Sequence, residues 1–160
     1  MNEERVELVK GEADVVEAEF VNIKQSSIRS VEGGHVELQQ VGALSIDGER
    51  VEVTQGAAML IRGNEVNLNQ SISGIAAAEN TVLNFSFSPV ALSKEKMELN
   101  KSAAGIVAAK EIRTENSASL IMIAHNVEGN VTTLIDWRSA LAVGTVIGGI
   151  MGILALLRRK

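Results

Sequence analysis

The chain has no cysteine, which excludes disulfides and thiol chemistry. It has no tyrosine either, and its only large rings are Phe20, Phe85, Phe87 and Trp137. Globular cores normally draw much of their buried area from aromatic side chains. Here Val, Ile, Leu, Ala, Gly and Ser must fill the interior, which suits a thin and repetitive core. Basic residues are outnumbered by acids, giving a net charge of −5, and phosphate-backbone binding needs clustered Lys and Arg. Nucleic acid is therefore not expected as a partner. Proline occurs once, at Pro89.

What is present is a fifteen-residue repeat. It reads RVELVKGEADVVEAE from Arg5, then FVNIKQSSIRSVEGG, HVELQQVGALSIDGE, RVEVTQGAAMLIRGN, EVNLNQSISGIAAAE and NTVLNFSFSPVALSK. After one extra residue, Glu95, it resumes as KMELNKSAAGIVAAK and EIRTENSASLIMIAH, then degenerates in NVEGNVTTLIDWRSA. Position two is Val6, Val21, Val36, Val51 and Val66, and position four is Leu8, Ile23, Leu38, Val53, Leu68 and Leu83. Position twelve is Val16, Val31, Ile46 and Ile61, then Ala76 and Ala91. Position fourteen is small throughout, as in Ala18, Gly33, Gly48, Gly63, Ala78 and Ser93. Positions seven and nine are mostly Gly, Ser or Ala.

These positions fall as pairs two apart, and alternation by two marks one face of a strand. A restart every five residues marks a corner. The expected fold is all-β: a single-stranded parallel β-solenoid of triangular section, with fifteen residues per turn and about eight to nine turns, over residues 1–138. No charged residue of the first eight blocks falls at an inward position, as the cost of burying an unpaired charge demands. Pro89 falls at position ten, a corner, where its missing N–H is tolerated. Fifteen residues are too few for two helices, and β-branched residues interleaved with Gly and Ser disfavour one long helix. Gln25, Gln40, Gln55 and Gln70 share position six and could form either an amide ladder or a row of solvated corners.

Residues 139–160 form a second unit. Ser139 to Leu157 carries no charge and no proline and is followed by Arg158, Arg159 and Lys160. Its length fits one helical crossing of a bilayer, so a single C-terminal transmembrane α-helix is expected, with Trp137 and Arg138 at the interface. Ala140, Gly144, Gly148 and Gly152 recur every four residues and would let two such helices approach closely. The N-terminus has no apolar run of the secretory kind. Tail anchoring with the domain on the cytoplasmic side is the expected topology, although the basic tail alone favours the opposite orientation.

The outward columns change along the axis. Position thirteen runs Glu17, Glu32, Asp47, Arg62, Ala77, Leu92, Ala108, Ile123, and position eleven of the later blocks is Ile75, Val90, Ile106, Ile121. An exposed apolar stripe of this kind marks a contact surface. Ile75, Val90, Leu92, Ile106, Ile121 and Ile123 are the candidate oligomer interface. Residues 1–19 alone carry a net −5, which would repel identical ends.

No catalytic set emerges. His35 and His125 lie six blocks apart, and Gly33, Gly34 and Gly48 lack the Lys-Ser/Thr of a phosphate loop. Fifteen-residue ice-binding solenoids carry columns of outward Thr, whereas Thr54 is the only outward Thr of the first eight blocks here and Thr114 falls at an inward position. No cofactor, no metal and no enzymatic activity are expected.

The repeat style of HVELQQVGALSIDGERVEVTQGAA over about residues 5–125 resembles the bactofilins. These are bacterial cytoskeletal proteins that polymerise end to end without nucleotide and scaffold other proteins at the membrane. The resemblance implies a non-enzymatic, membrane-attached scaffold that self-associates, with itself, lipid and other proteins as partners. The alternative expectation is a membrane-tethered binding module that presents a flat side to a ligand or partner. An enzyme assembled between subunits is a third.

Overall fold

The computed structural model describes residues 5–133, with side-chain environments described to residue 130. The expected transmembrane helix, with its line of Ala140, Gly144, Gly148 and Gly152, lies outside the described residues.

Eight strands make one sheet in the order β1-β2-β3-β4-β5-β6-β7-β8. They are β1 (Arg5–Val9), β2 (Glu12–Lys24), β3 (Ser27–Gln39), β4 (Gly42–Thr54), β5 (Ala57–Asn69), β6 (Ile72–Asn84), β7 (Phe87–Asn100) and β8 (Ala103–Thr133). Every neighbouring pair is parallel. This is a parallel β-solenoid. Its register is the sequence repeat: Val21 pairs with Val36, Val36 with Val51, and Val51 with Val66. The register shifts where Glu95 intrudes, since Ala78 pairs with Ser93 but Asn80 with Lys96. The 31-residue β8 is long enough for two turns, and its Arg113 reaches Glu128 fifteen residues on at 3.1 Å.

The core lies inside the coil and follows the expected positions. Val36, Val51, Ile23, Ile46, Ile61, Leu68 and Leu83 are all 2% exposed or less. Among the described residues the buried polar side chains are Ser and Thr only, with no Asp, Glu, Lys or Arg. Small residues let successive turns close up. A Cβ placed on Gly48 would sit 2.7 Å from the Gly33 carbonyl oxygen and 3.1–3.2 Å from Val36 and Val51 methyls.

Pairing lapses at three places in each turn, around positions six to seven, ten and fifteen. Yet these corners are not equal, as three separate five-residue strands would require. Positions ten and fifteen bend inside one continuous strand, and Pro89 occupies position ten without interrupting β7. Only position six ends a strand, at every turn except the one at Asn116, which lies inside β8. There the backbone turns left-handed at Lys10, Gln25, Gln40, Gln55, Gln70, Phe85, Lys101 and Asn116, with φ between 46° and 56°. Each such non-glycine residue costs about 1–2 kcal/mol, so something must hold it.

Two ladders do so. Outside, Gln25 donates its side-chain amide to Gln40, Gln40 to Gln55 and Gln55 to Gln70, at 3.0, 3.3 and 3.1 Å. The amide ladder is thus formed. Where glutamine stops, Lys101 stands 5.3 Å from the Phe85 ring centroid. Inside, serine at position seven repairs the backbone. The N–H of position six donates to the next turn's position-five carbonyl, as Gln25 does to Gln39 at 2.9 Å. The N–H of position eight donates to the previous turn's position-seven carbonyl, as Phe87 does to Ser71 at 3.0 Å. The N–H of position seven is left over, and the serine hydroxyl of the next turn accepts it. Ser71 N–H donates to Ser86 Oγ, Ser86 N–H to Ser102 Oγ and Ser102 N–H to Ser117 Oγ, each at 3.1 Å. The Ser86 hydroxyl in turn lies within donating reach of the Asn84 and Leu68 carbonyls, at 2.8 and 3.1 Å.

Two stability outcomes follow. Ser86→Ala strands the buried Ser71 N–H and lowers stability by about 1–3 kcal/mol in urea unfolding. Gln55→Gly, free of the left-handed penalty, is more stable than Gln55→Ala by about 1 kcal/mol although both lose the ladder amide.

Candidate functional site: an uncharged flank on a charged coil

The first side, positions one to five, is polar at every turn. It carries exposed ion pairs across one repeat, such as Arg50–Glu65 at 2.9 Å and Arg113–Glu128 at 3.1 Å. Asn22 donates to Glu37 at 3.0 Å and Asn100 to Asn84 at 2.9 Å. Exposed pairs of this kind contribute about 0–1 kcal/mol each, so they decorate the coil more than they hold it.

The other two sides change with height. In the first four turns the segments Lys10–Glu17, Gln25–Glu32, Gln40–Asp47 and Gln55–Arg62 include Lys10, Glu12, Asp14, Glu17, Arg29, Glu32, Asp47 and Arg62. In the next four, Gln70–Ala77, Phe85–Leu92, Lys101–Ala108 and Asn116–Ile123 hold a single charged residue, Lys101. Core packing does not cause the difference, because the inward positions are uncharged throughout. The outward positions have become apolar instead.

The residues singled out from the sequence lie on this flank. Ile75, Leu92, Ile106 and Ile121 are 37–43% exposed, Ile123 is 61% exposed and Val90 is half-buried. The sheet register stacks Leu60, Ile75, Val90 and Ile106 in one column, and Arg62, Ala77, Leu92 and Ala108 in the other. Sequence reasoning confined the stripe to the third side, yet the second side is apolar too. Ile72, Phe85 and Phe87 are exposed there, and Leu44, Met59 and Leu120 project at the corner between the two. Their spacing gave the signal: they fall at positions six, eight and ten, outward or at corners.

A groove runs along the third corner, floored by Gly33, Gly48 and Gly63 and edged by Glu17, Glu19, Glu32, Asp47 and Glu49. Glu17, Glu32 and Asp47 stack in one column, with Arg62 paired to Asp47 at 3.8 Å on the uncharged side. Among the described residues no three His, Asp or Glu side chains group as metal ligands. His35 faces Glu37 at 3.1 Å and lies 6.3 Å from the Phe20 ring, while His125 is exposed on the eighth turn. The two do not meet. Most inward serines are engaged by the backbone or by one another, and Ser119 Oγ is the one buried side-chain oxygen without a partner among the described residues.

Comparison with protein-family models, curated proteins and solved structures returns no match. Ile72→Glu, at an exposed position, changes unfolding free energy by within about 0.5 kcal/mol. Ala91→Glu buries a charge one strand away and abolishes cooperative unfolding; far-UV circular dichroism in urea distinguishes the two.

Proposed function

We propose that this protein is a bactofilin-like, non-enzymatic scaffold, anchored to a membrane by residues 139–157 and self-associating through its uncharged flank. The observation that carries the reading is that sides two and three hold eight charged residues over turns one to four but only Lys101 over turns five to eight, where the outward positions are apolar. An isolated exposed Leu or Ile means little, but a contiguous sheet face without charge is a contact surface. The flank occupies the end of the coil nearest the proposed anchor. The anchor's small-residue line at Ala140, Gly144, Gly148 and Gly152 favours association of the same copies inside the bilayer. The solenoid lies on the cytoplasmic side in this reading, with lipid and like copies as its partners.

Phe85 and Phe87 favour a second reading, a membrane-tethered binding module. They stand exposed on the second side beside Lys101, where a protein or ligand could be seated. Self-association is the reading adopted, because the apolar columns extend over four turns.

Light scattering on the full chain in mild detergent tests it. The wild type runs as a dimer or larger assembly. Ile106→Glu weakens association roughly a hundredfold, since it would bury an unpaired charge. A strict monomer at all concentrations contradicts the reading.

A further inference from the structure

We infer that two copies pair with their coil axes parallel and level, third side against third side, over turns five to eight and not over turns one to three. The inference rests on the self-association reading and adds its geometry. The occupant of the flank is a second copy of this chain, and three observations select the arrangement.

The first is charge. The whole net charge of −5 is already present in residues 1–19, and Glu17, Glu32 and Asp47 extend the acidic column down the third side. Arg62 follows Asp47 in that column, and a like copy meets no charge on it from Ala77 onward. From there to Ile123 the third side carries no charge on either outward column. A basic partner would instead be drawn to the acidic turns and would leave the apolar ones uncovered.

The second is direction. In both copies the proposed anchor follows Thr133, the last described residue of β8, in sequence. Two copies held in one bilayer therefore point the same way. A two-fold axis parallel to the coil then preserves height and reverses column order, so position eleven of one copy meets position thirteen of the other.

The third is shape. Under that operation Ile75 faces the partner's Ala77, Val90 faces the partner's Leu92, and Ile106 faces the partner's Ala108. At turns five and seven an isoleucine thus packs against an alanine, while at turn eight Ile121 meets the partner's Ile123. An antiparallel pair would keep column order and set Ile75 against the partner's Ile121, bulk on bulk.

The absence of cysteine makes the test direct. Full-length Ile75→Cys is mixed with a differently tagged copy carrying either Ala77→Cys or Ile121→Cys. Each mixture is reconstituted in phosphatidylcholine vesicles and treated with a short bismaleimide. All three positions are on the outward face, and circular dichroism checks that each variant folds. The expected result is at least fivefold more mixed-tag dimer from the Ile75→Cys and Ala77→Cys mixture. Equal or reversed yields, with light scattering still giving a dimer, overturn the parallel arrangement and leave self-association standing. A monomer by scattering overturns both.

Discussion

Parallel stacking in a fixed register is the constraint from which the rest of this structure follows. Each residue lies one strand spacing, about 4.8 Å, from its equivalent fifteen residues away. A column is therefore either compatible with itself or costly at every turn. Val21, Val36, Val51 and Val66 form one column that is at most 2% exposed. The glutamine column solves the same problem outside, where each amide both donates and accepts. No single turn has enough buried surface to fold alone, so stability is a sum over neighbouring turns.

The strained corner shows how far this repetition can carry unfavourable geometry. Eight non-glycine residues hold a left-handed conformation at position six. The strain persists because the backbone bonds on both sides, the amide ladder and the serine hydroxyls all determine the same turn. Serine here belongs to the backbone's hydrogen bonding more than to the core. It supplies the acceptor that a left-handed corner removes from the sheet.

Much of this could be read from residues 5–125. The inward positions were legible because burial forbids charge, and the register because Val and small residues recur in phase. The extra residue at Glu95 and the corner at Pro89 were legible for the same reasons. The left-handed corner was not, since Gln, Lys, Phe and Asn replace the glycine that normally announces a positive φ. Nor was the role of Ser71, Ser86 and Ser102, because a small inward residue looks the same whether it fills space or accepts an N–H. The apolar second side was missed where Phe87 and Ile72 were taken column by column and not as a surface. The outward columns are free of the core's demands, so their change from acidic to apolar along the axis is the part of the sequence open to function.

The stacked register is tested most directly by distances measured along one outward column. Nitroxide pairs at Asn22 and Glu52, Asn22 and Val82, and Asn22 and Arg113 lie two, four and six turns apart, and unlabelled copies dilute contacts between molecules. The expected Cα separations rise evenly, about 10, 19 and 29 Å, at one strand spacing per turn. Separations that do not increase in step with turn number, or that bring residues 22 and 113 closer than 22 and 82, contradict the account.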